Sequence, residues 1–397
     1  MASRHYDIRI ASGGTRGARP TNQDYATTQR LGTHYVLGCV FDGHGANDDD
    51  PKQPLLSTFF GEAFVTKARE LGGELMGGES PVEMVEMLRM CYRCALEATD
   101  SKGSFVDQGT TLSAFLLQHK TMLCATVTLG DSQVLVVDIA SGMVLRAKML
   151  LHSDDAYPTT ADCTGTGDVV VTCTTRIHDF TDSREVDRYQ SSGLFLNIQA
   201  RRDAHKLEKR VKASVVGIRH QLVEPSRTVE SLETYSPAAR SAGLLELQRP
   251  TEYIVWELPT QSDVAICALC DGFVSKNALP SLDALARCIC DPGRYVENGR
   301  FLDGTVLGYM IDRKGILPPT EEWQDDPLSH VTKILHDLAP DQLWKDAIMA
   351  SSEICRRAPL HRLADDPQRA VDVAVNLAVL FASDDNVTLE VTVVTQK

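Results

Sequence analysis

Short apolar runs, each closed by glycine, aspartate, asparagine or another turn-forming residue, recur along the chain and predict its strands. Tyr35 to Phe41, Leu112 to Gln118, Thr121 to Thr128 and Val134 to Asp138 are of this kind, as are Met143 to Lys148, Val169 to Thr174, Leu194 to Ile198, Tyr253 to Leu258, Val264 to Cys270 and Val387 to Val394. His119-Lys120 and Gly130-Asp131-Ser132 separate neighbouring runs by too little chain for a helical crossover, so residues 112–138 read as an antiparallel meander. A helical period takes over elsewhere. Ser80-Pro81-Val82-Glu83 is a capping box with proline at the first helical position, and Val82, Val85, Leu88, Tyr92, Ala95 and Leu96 then mark one buried face. Comparable stripes predict helices in Leu55 to Leu71, ended by Gly72-Gly73, in Ala278 to Ile289 and in Ala370 to Phe381. Mainly antiparallel sheets with helices in separate blocks indicate an α+β fold. His152 to Glu224 and Asp291 to Asp366 read as insertions within a single domain, since no repeat or low-complexity tract marks a linker.

Composition narrows the function classes. With 43% hydrophobic and 24% charged residues, and no apolar stretch near the ~18 residues of a membrane span, the 397-residue chain reads as globular with no membrane span. A net charge of −14 opposes binding to a nucleic-acid backbone. Met1 to Ile10 has no apolar signal region and position 2 is not glycine, so the expected location is cytoplasmic, with the nucleus open. Eleven cysteines, several within apolar runs, read as reduced core thiols, and Cys267 with Cys270 lacks the second pair of a zinc site.

Chemistry is concentrated at strand ends. Asp42, Asp271 and Asp385 each stand where an apolar run begins or ends, beside glycine or asparagine, and Asp131 punctuates two strands. A carboxylate in such a place is poorly solvated and needs a partner, and oxygen donors suit Mg²⁺ or Mn²⁺ better than zinc. Gly43 lets backbone approach an ion, so its carbonyl is a further candidate ligand. Taken singly, each aspartate is more readily an ordinary turn residue. Arg19 and Asp24, ahead of the first of these runs, read by themselves as a surface turn with an Arg-Asp pair; the other reading is a guanidinium able to grip phosphate beside a carboxylate able to hold a metal-bound water.

In their order, the segments RPTNQD (Arg19 to Asp24), VFDGHG (Val40 to Gly45), GTTLSAFLL (Gly109 to Leu117), LGDSQ (Leu129 to Gln133), EPSRT (Glu224 to Thr228), ALCDGF (Ala268 to Phe273) and SDDNVTLEV (Ser383 to Val391) resemble the metal-dependent protein phosphatases (PPM), the type 2C serine/threonine phosphatases. The resemblance runs from about Gly13 to Val394. It implies a four-layer αββα sandwich with two Mn²⁺ or Mg²⁺ ions, and a weaker third, at one end of the sheets. Asp42 would bridge two metals, the Gly43 carbonyl would bind one, Asp271 and Asp385 the other, and Asp131 would help hold the third. It further implies phosphoprotein substrates, phosphate binding by Arg19, water orientation by Asp24 and proton donation to the leaving serine or threonine by His44. The chain departs from the family pattern at Gln23, where many members have glutamate, which implies weaker metal affinity at one site. It departs again at Ser226-Arg227-Thr228-Val229-Glu230-Ser231, which lacks the glycine and aspartate of S-R-x-x-G-D. The flap-like stretch before that segment is also longer. The rival readings are a pseudophosphatase scaffold and, lacking a phosphate-binding loop to support it, a hydrolase of small phosphate esters or nucleotides.

Overall fold

The computed structural model describes residues 6–45, 54–74, 80–103, 105–157, 169–180, 182–194, 196–203, 206–215, 222–223, 225, 227–230, 235, 237–274, 281–293, 326–357, 362–381, 383 and 385–397. Two large sheets dominate. One has the strand order Tyr6–Thr15, Val387–Gln396, Val264–Leu269, Gln133–Asp138, Met143–Val144. The other runs Val170–Thr172, Arg146–Asp154, Glu252–Glu257, Leu123–Leu129, Leu112–Gln118, Tyr35–Phe41, Tyr25–Leu31. Every pairing within them is antiparallel.

Period-two alternation stacks these sheets into layers. Val36, Val40, Phe115 and Leu117 from the second sheet meet Val134, Val136, Val264 and Ile266 from the first in a shared inter-sheet core. Their neighbours face outward: Leu37, Cys39, Phe41, Ala114 and Leu116 pack against the helices Leu56–Glu74 and Pro81–Lys102. Ala265, Cys267, Leu269, Val391 and Val393 pack against helices Leu282–Cys290, Pro327–Leu338, Gln342–Arg357 and Pro367–Leu380. The fold is thus an α+β sandwich of four layers, αββα. Because both faces of the central strands are buried, their sequences read as unbroken apolar runs. Cys267 and Cys270 fall into different cores, on opposite sides of their sheet, so their spacing makes no chelate.

Three local expectations change. Gln133–Asp138 pairs with Val264–Leu269, not with Leu123–Leu129, so the meander breaks and the chain passes between sheets at Gly130, whose φ of +92° suits glycine. The first helix continues through Gly72-Gly73 to Glu74, and Gly72 lies so close to Leu31 that an added Cβ would meet it at 2.8 Å. Gly72 serves contact rather than termination. The strand candidate Leu194 to Ile198 is the start of a longer hairpin, Leu196–Asp203 with Lys206–Val215. The capping box forms as expected: Ser80 caps the Glu83 N–H and Glu83 caps back.

One carboxyl lies in the inter-sheet core. Glu390 is fully buried and accepts from the Thr28 hydroxyl at 2.6 Å and from the Ser12 hydroxyl. Burial pushes it up to about 7, the two hydroxyls pulling the other way. Since the folded value lies above the unfolded one, this group's stability contribution is complete below ~4.5 and is lost as pH rises through ~7. Glu390→Gln is therefore expected to gain on the order of 3 kcal/mol over the unmodified protein between about pH 5 and about pH 8. Urea melts at the two pH values check this, and parallel pH dependence would show that Glu390 does not carry the charge.

Candidate metal centre

The strand ends deliver their carboxylates to one place. Asp42 follows Tyr35–Phe41, Asp131 follows Leu123–Leu129, and Asp271 follows Val264–Leu269 after Cys270. Each can offer an oxygen within 4.8 Å of the others. The Asp271 N–H donates to Asp42 Oδ2 at 3.3 Å, and the Asp42 carbonyl accepts from Thr111 N–H at 2.9 Å. Burial, then Asp271, Asp24, Asp131 and Asp385, hold the Asp42 carboxyl well above the usual range. Such crowding of like charge is costly unless a cation offsets it.

Asp24 and Asp385 border this triad electrostatically. Asp24 Oδ2 accepts from the Thr388 hydroxyl at 2.6 Å, while its Oδ1 is buried with no hydrogen-bond partner among the described residues. Burial lifts this carboxyl to about 7; the Thr388 hydrogen bond opposes the rise and Asp385 and Asp271 add to it. Arg19 Nη2 lies 2.8 Å from Asp385 Oδ2, with the guanidinium partly open to solvent. Gly43 is backed against the Gln23 carbonyl, which an added Cβ would approach to 2.2 Å. An all-oxygen donor set with an orphaned buried oxygen beside it fits a hard divalent ion.

Other residues arrange the loop and the ring. Asn386 clamps the loop carrying Arg19: its Oδ1 accepts from Gln23 N–H at 2.9 Å and its Nδ2 donates to the carbonyls of Arg16 at 3.0 Å and Thr21 at 3.1 Å. His44 lies in a small ladder of Val229–Glu230, Gly109–Thr110 and Gly43–His44. Its Nε2 is 3.1 Å from the Thr228 hydroxyl. Thr228, Thr388 and the clamp by Asn386 carry no sequence signal of their own, because each acts on a residue distant along the chain.

Neither a family model nor a curated protein matches the chain. Its likenesses are structural. A sex-determining protein of C. elegans is 14% identical with a TM-score of 0.47, over 97% of this chain and 64% of that one. A serine-threonine phosphatase 2C of Toxoplasma gondii is 11% identical with a TM-score of 0.44, over 98% and 95%. The catalytic domain of the serine threonine protein phosphatase PstP, in complex with two manganese ions, is 13% identical with a TM-score of 0.41, over 98% and 100%. With TM-scores below 0.5, the fold and the site stand on this chain's own pairing and geometry.

A second buried cluster, Asp154, His178 and Glu252, also brings three donor groups within 4.8 Å. Protein cations occupy it. Asp154 Oδ1 accepts from Arg227 Nη1 at 2.8 Å and Ala156 N–H at 3.0 Å, and its Oδ2 from Arg227 Nη2 at 3.1 Å and Arg176 Nη2 at 2.7 Å. Two guanidiniums and a backbone N–H leave Asp154 no lone pair for an ion. The Ser226 and Ser231 positions of this segment lie outside the described residues, as does Glu224. Among the described residues no helix is long and apolar enough to cross a membrane.

Proposed function

We propose that the chain is a Mn²⁺- or Mg²⁺-dependent phosphatase acting on phosphoserine and phosphothreonine in proteins, as one phosphatase domain with insertions near 152–224 and 291–366. The observation that carries this reading is the convergence of Asp42, Asp131 and Asp271 from three strand ends, with oxygens within 4.8 Å. Asp385 and the Gly43 carbonyl would complete the donor set. When bound, the ions would lower the pKa of water and offset phosphoryl charge.

This chain's own residues do the rest. Asp24, with one buried oxygen unpartnered among the described residues, orients a water; Thr388 fixes the other oxygen. Arg19, anchored through Asp385, presents its guanidinium to the phosphate. As the oriented water's oxygen bonds to phosphorus and the P–O bond to the leaving oxygen breaks with its electron pair, His44 gives that leaving oxygen a proton. The ring keeps its other proton on Nε2, against Thr228. A second reading, a pseudophosphatase scaffold, draws support from one feature: Gln23 puts a neutral amide where an acidic neighbour would strengthen metal binding.

Phosphate release from a phosphothreonine peptide, measured with Mn²⁺, Mg²⁺ or chelator, separates the two. Turnover is expected with metal, with a loss of ~100-fold or more in Asp271→Asn. No release from the unmodified protein with any metal favours the scaffold, and equal release from both proteins removes Asp271 from the chemistry.

A further inference from the structure

Strand pairing sets Glu230 opposite Gly109 on one side and His44 opposite the same Gly109 on the other. The middle residue of this row has no side chain. A Cβ on Gly109 would lie 2.2 Å from His44 Cε1, 2.4 Å from its Nε2 and 3.1 Å from Glu230 Cγ, so the imidazole and the glutamate side chain share the space that glycine leaves. Residues two apart on a strand face the same way, and Thr228, two before Glu230, meets the same ring at Nε2.

The hydroxyl of Thr228 donates its single proton to the Thr110 carbonyl at 3.1 Å. Toward the imidazole it can only accept, so Nε2 carries a proton. One edge of the ring is therefore fixed in both place and tautomer. Glu230 flanks the ring from the next position along the strand. Only 6% exposed, it keeps one carboxylate oxygen, Oε2, buried with no hydrogen-bond partner among the described residues. Its backbone carbonyl is tied to Arg249 Nη2 at 3.1 Å, and Arg249 is in turn gripped by both oxygens of Asp100 at 2.8 and 2.7 Å. A buried carboxyl with an idle oxygen costs stability unless it acquires a partner. Across the Gly109 gap, the polar group that shares its space is the His44 ring.

We infer that Glu230 is a positioning residue for His44: across the gap left by Gly109 it holds the imidazole that Thr228 anchors at Nε2, so that the ring's proton is aimed at the leaving oxygen. This deepens the phosphatase reading and rests on it. The proton delivered to the leaving oxygen matters when that oxygen becomes a strongly basic alkoxide, and hardly at all when it becomes a stable phenolate.

The test compares Glu230→Gln and Glu230→Asp with the unmodified holoenzyme on a phosphothreonine peptide and on p-nitrophenyl phosphate. In Glu230→Gln, kcat on the peptide is expected to fall at least ~10-fold further than kcat on the aryl ester, at unchanged KM. Glu230→Asp should recover part of the loss. Equal losses on the two substrates, or none on the peptide, overturn the inference. An unmodified protein that is inactive on both substrates is a failure of the phosphatase reading instead. A readout independent of turnover guards the distinction: in metal-free protein, the imidazole N–H resonance that disappears in His44→Asn is expected to shift in Glu230→Gln. An unchanged resonance there overturns the positioning role.

Discussion

Without metal, Asp42→Asn is expected to melt at a higher temperature than the unmodified protein, while losing ~100-fold or more of any phosphate release. The Asp42 carboxyl is hemmed in by protein and by Asp271, Asp24, Asp131 and Asp385. Asparagine retains an oxygen to accept the Asp271 N–H and removes one negative charge from the cluster. The relief should amount to ~1–3 kcal/mol, a rise of a few degrees for a chain of this size. Adding Mn²⁺ reverses the order: saturating a site to ~100 times its Kd stabilises by about 2.7 kcal/mol, and the variant, deprived of its central donor, gains little. Calorimetry with chelator and then with Mn²⁺ reads both halves. A variant that melts lower in chelator, yet still gains from Mn²⁺, would take Asp42 out of the metal centre. Stability surrendered for charge density is a signature of a site built for binding rather than for folding.

That tension explains why so much of the site was legible in sequence. A carboxylate at the end of a strand buried on both faces breaks the hydrophobic pattern, and Asp42, Asp131 and Asp271 break it at three separate strand ends. Edge strands were harder to read. Tyr6–Thr15 and Tyr25–Leu31 stand at the margins of their sheets with half-exposed residues, so neither shows an unbroken apolar run. Helices Pro327–Leu338 and Gln342–Arg357 hide beside acidic clusters, although Leu328, Val331 and Leu335 recur at helical spacing and join the core of the first sheet.

What pattern alone could not supply was pairing at long range. Asn386 was visible as a turn residue, but its grip on Arg16, Thr21 and Gln23 spans most of the chain. The transfer of Gln133–Asp138 to the other sheet was equally hidden, because either sheet would have buried the same valines. Glu230 was legible only as a departure from a motif. Its meaning comes from the bare glycine that separates it from His44.

Arg227→Met is expected to destabilise the fold by ~3–5 kcal/mol, although the arginine touches no proposed metal ligand. Arg227 is fully buried and forks across two acids: its Nη1 and Nη2 hold Asp154 at 2.8 and 3.1 Å, and its Nε and Nη2 hold Glu185 at 3.1 and 2.6 Å. This joins the end of Arg146–Asp154 to helix Ser183–Ser191. Arg176 would remain on Asp154 and Arg188 on Glu185, while Glu252 keeps His152 at 2.9 Å and His178, whose charged form burial disfavours. Asp154 and Glu185 would each lose one of the two guanidiniums that hold them. Glu185→Gln added to Arg227→Met should restore part of the loss, since the cost lies in unpaired charge more than in lost packing. Urea melts at neutral pH measure both variants, and a loss under about 1 kcal/mol in Arg227→Met would show the network to be ornamental. Because Thr228 and Glu230 follow directly in the chain, the same substitution should release the His44 ring, lowering turnover of the phosphothreonine peptide under conditions where the protein is still folded.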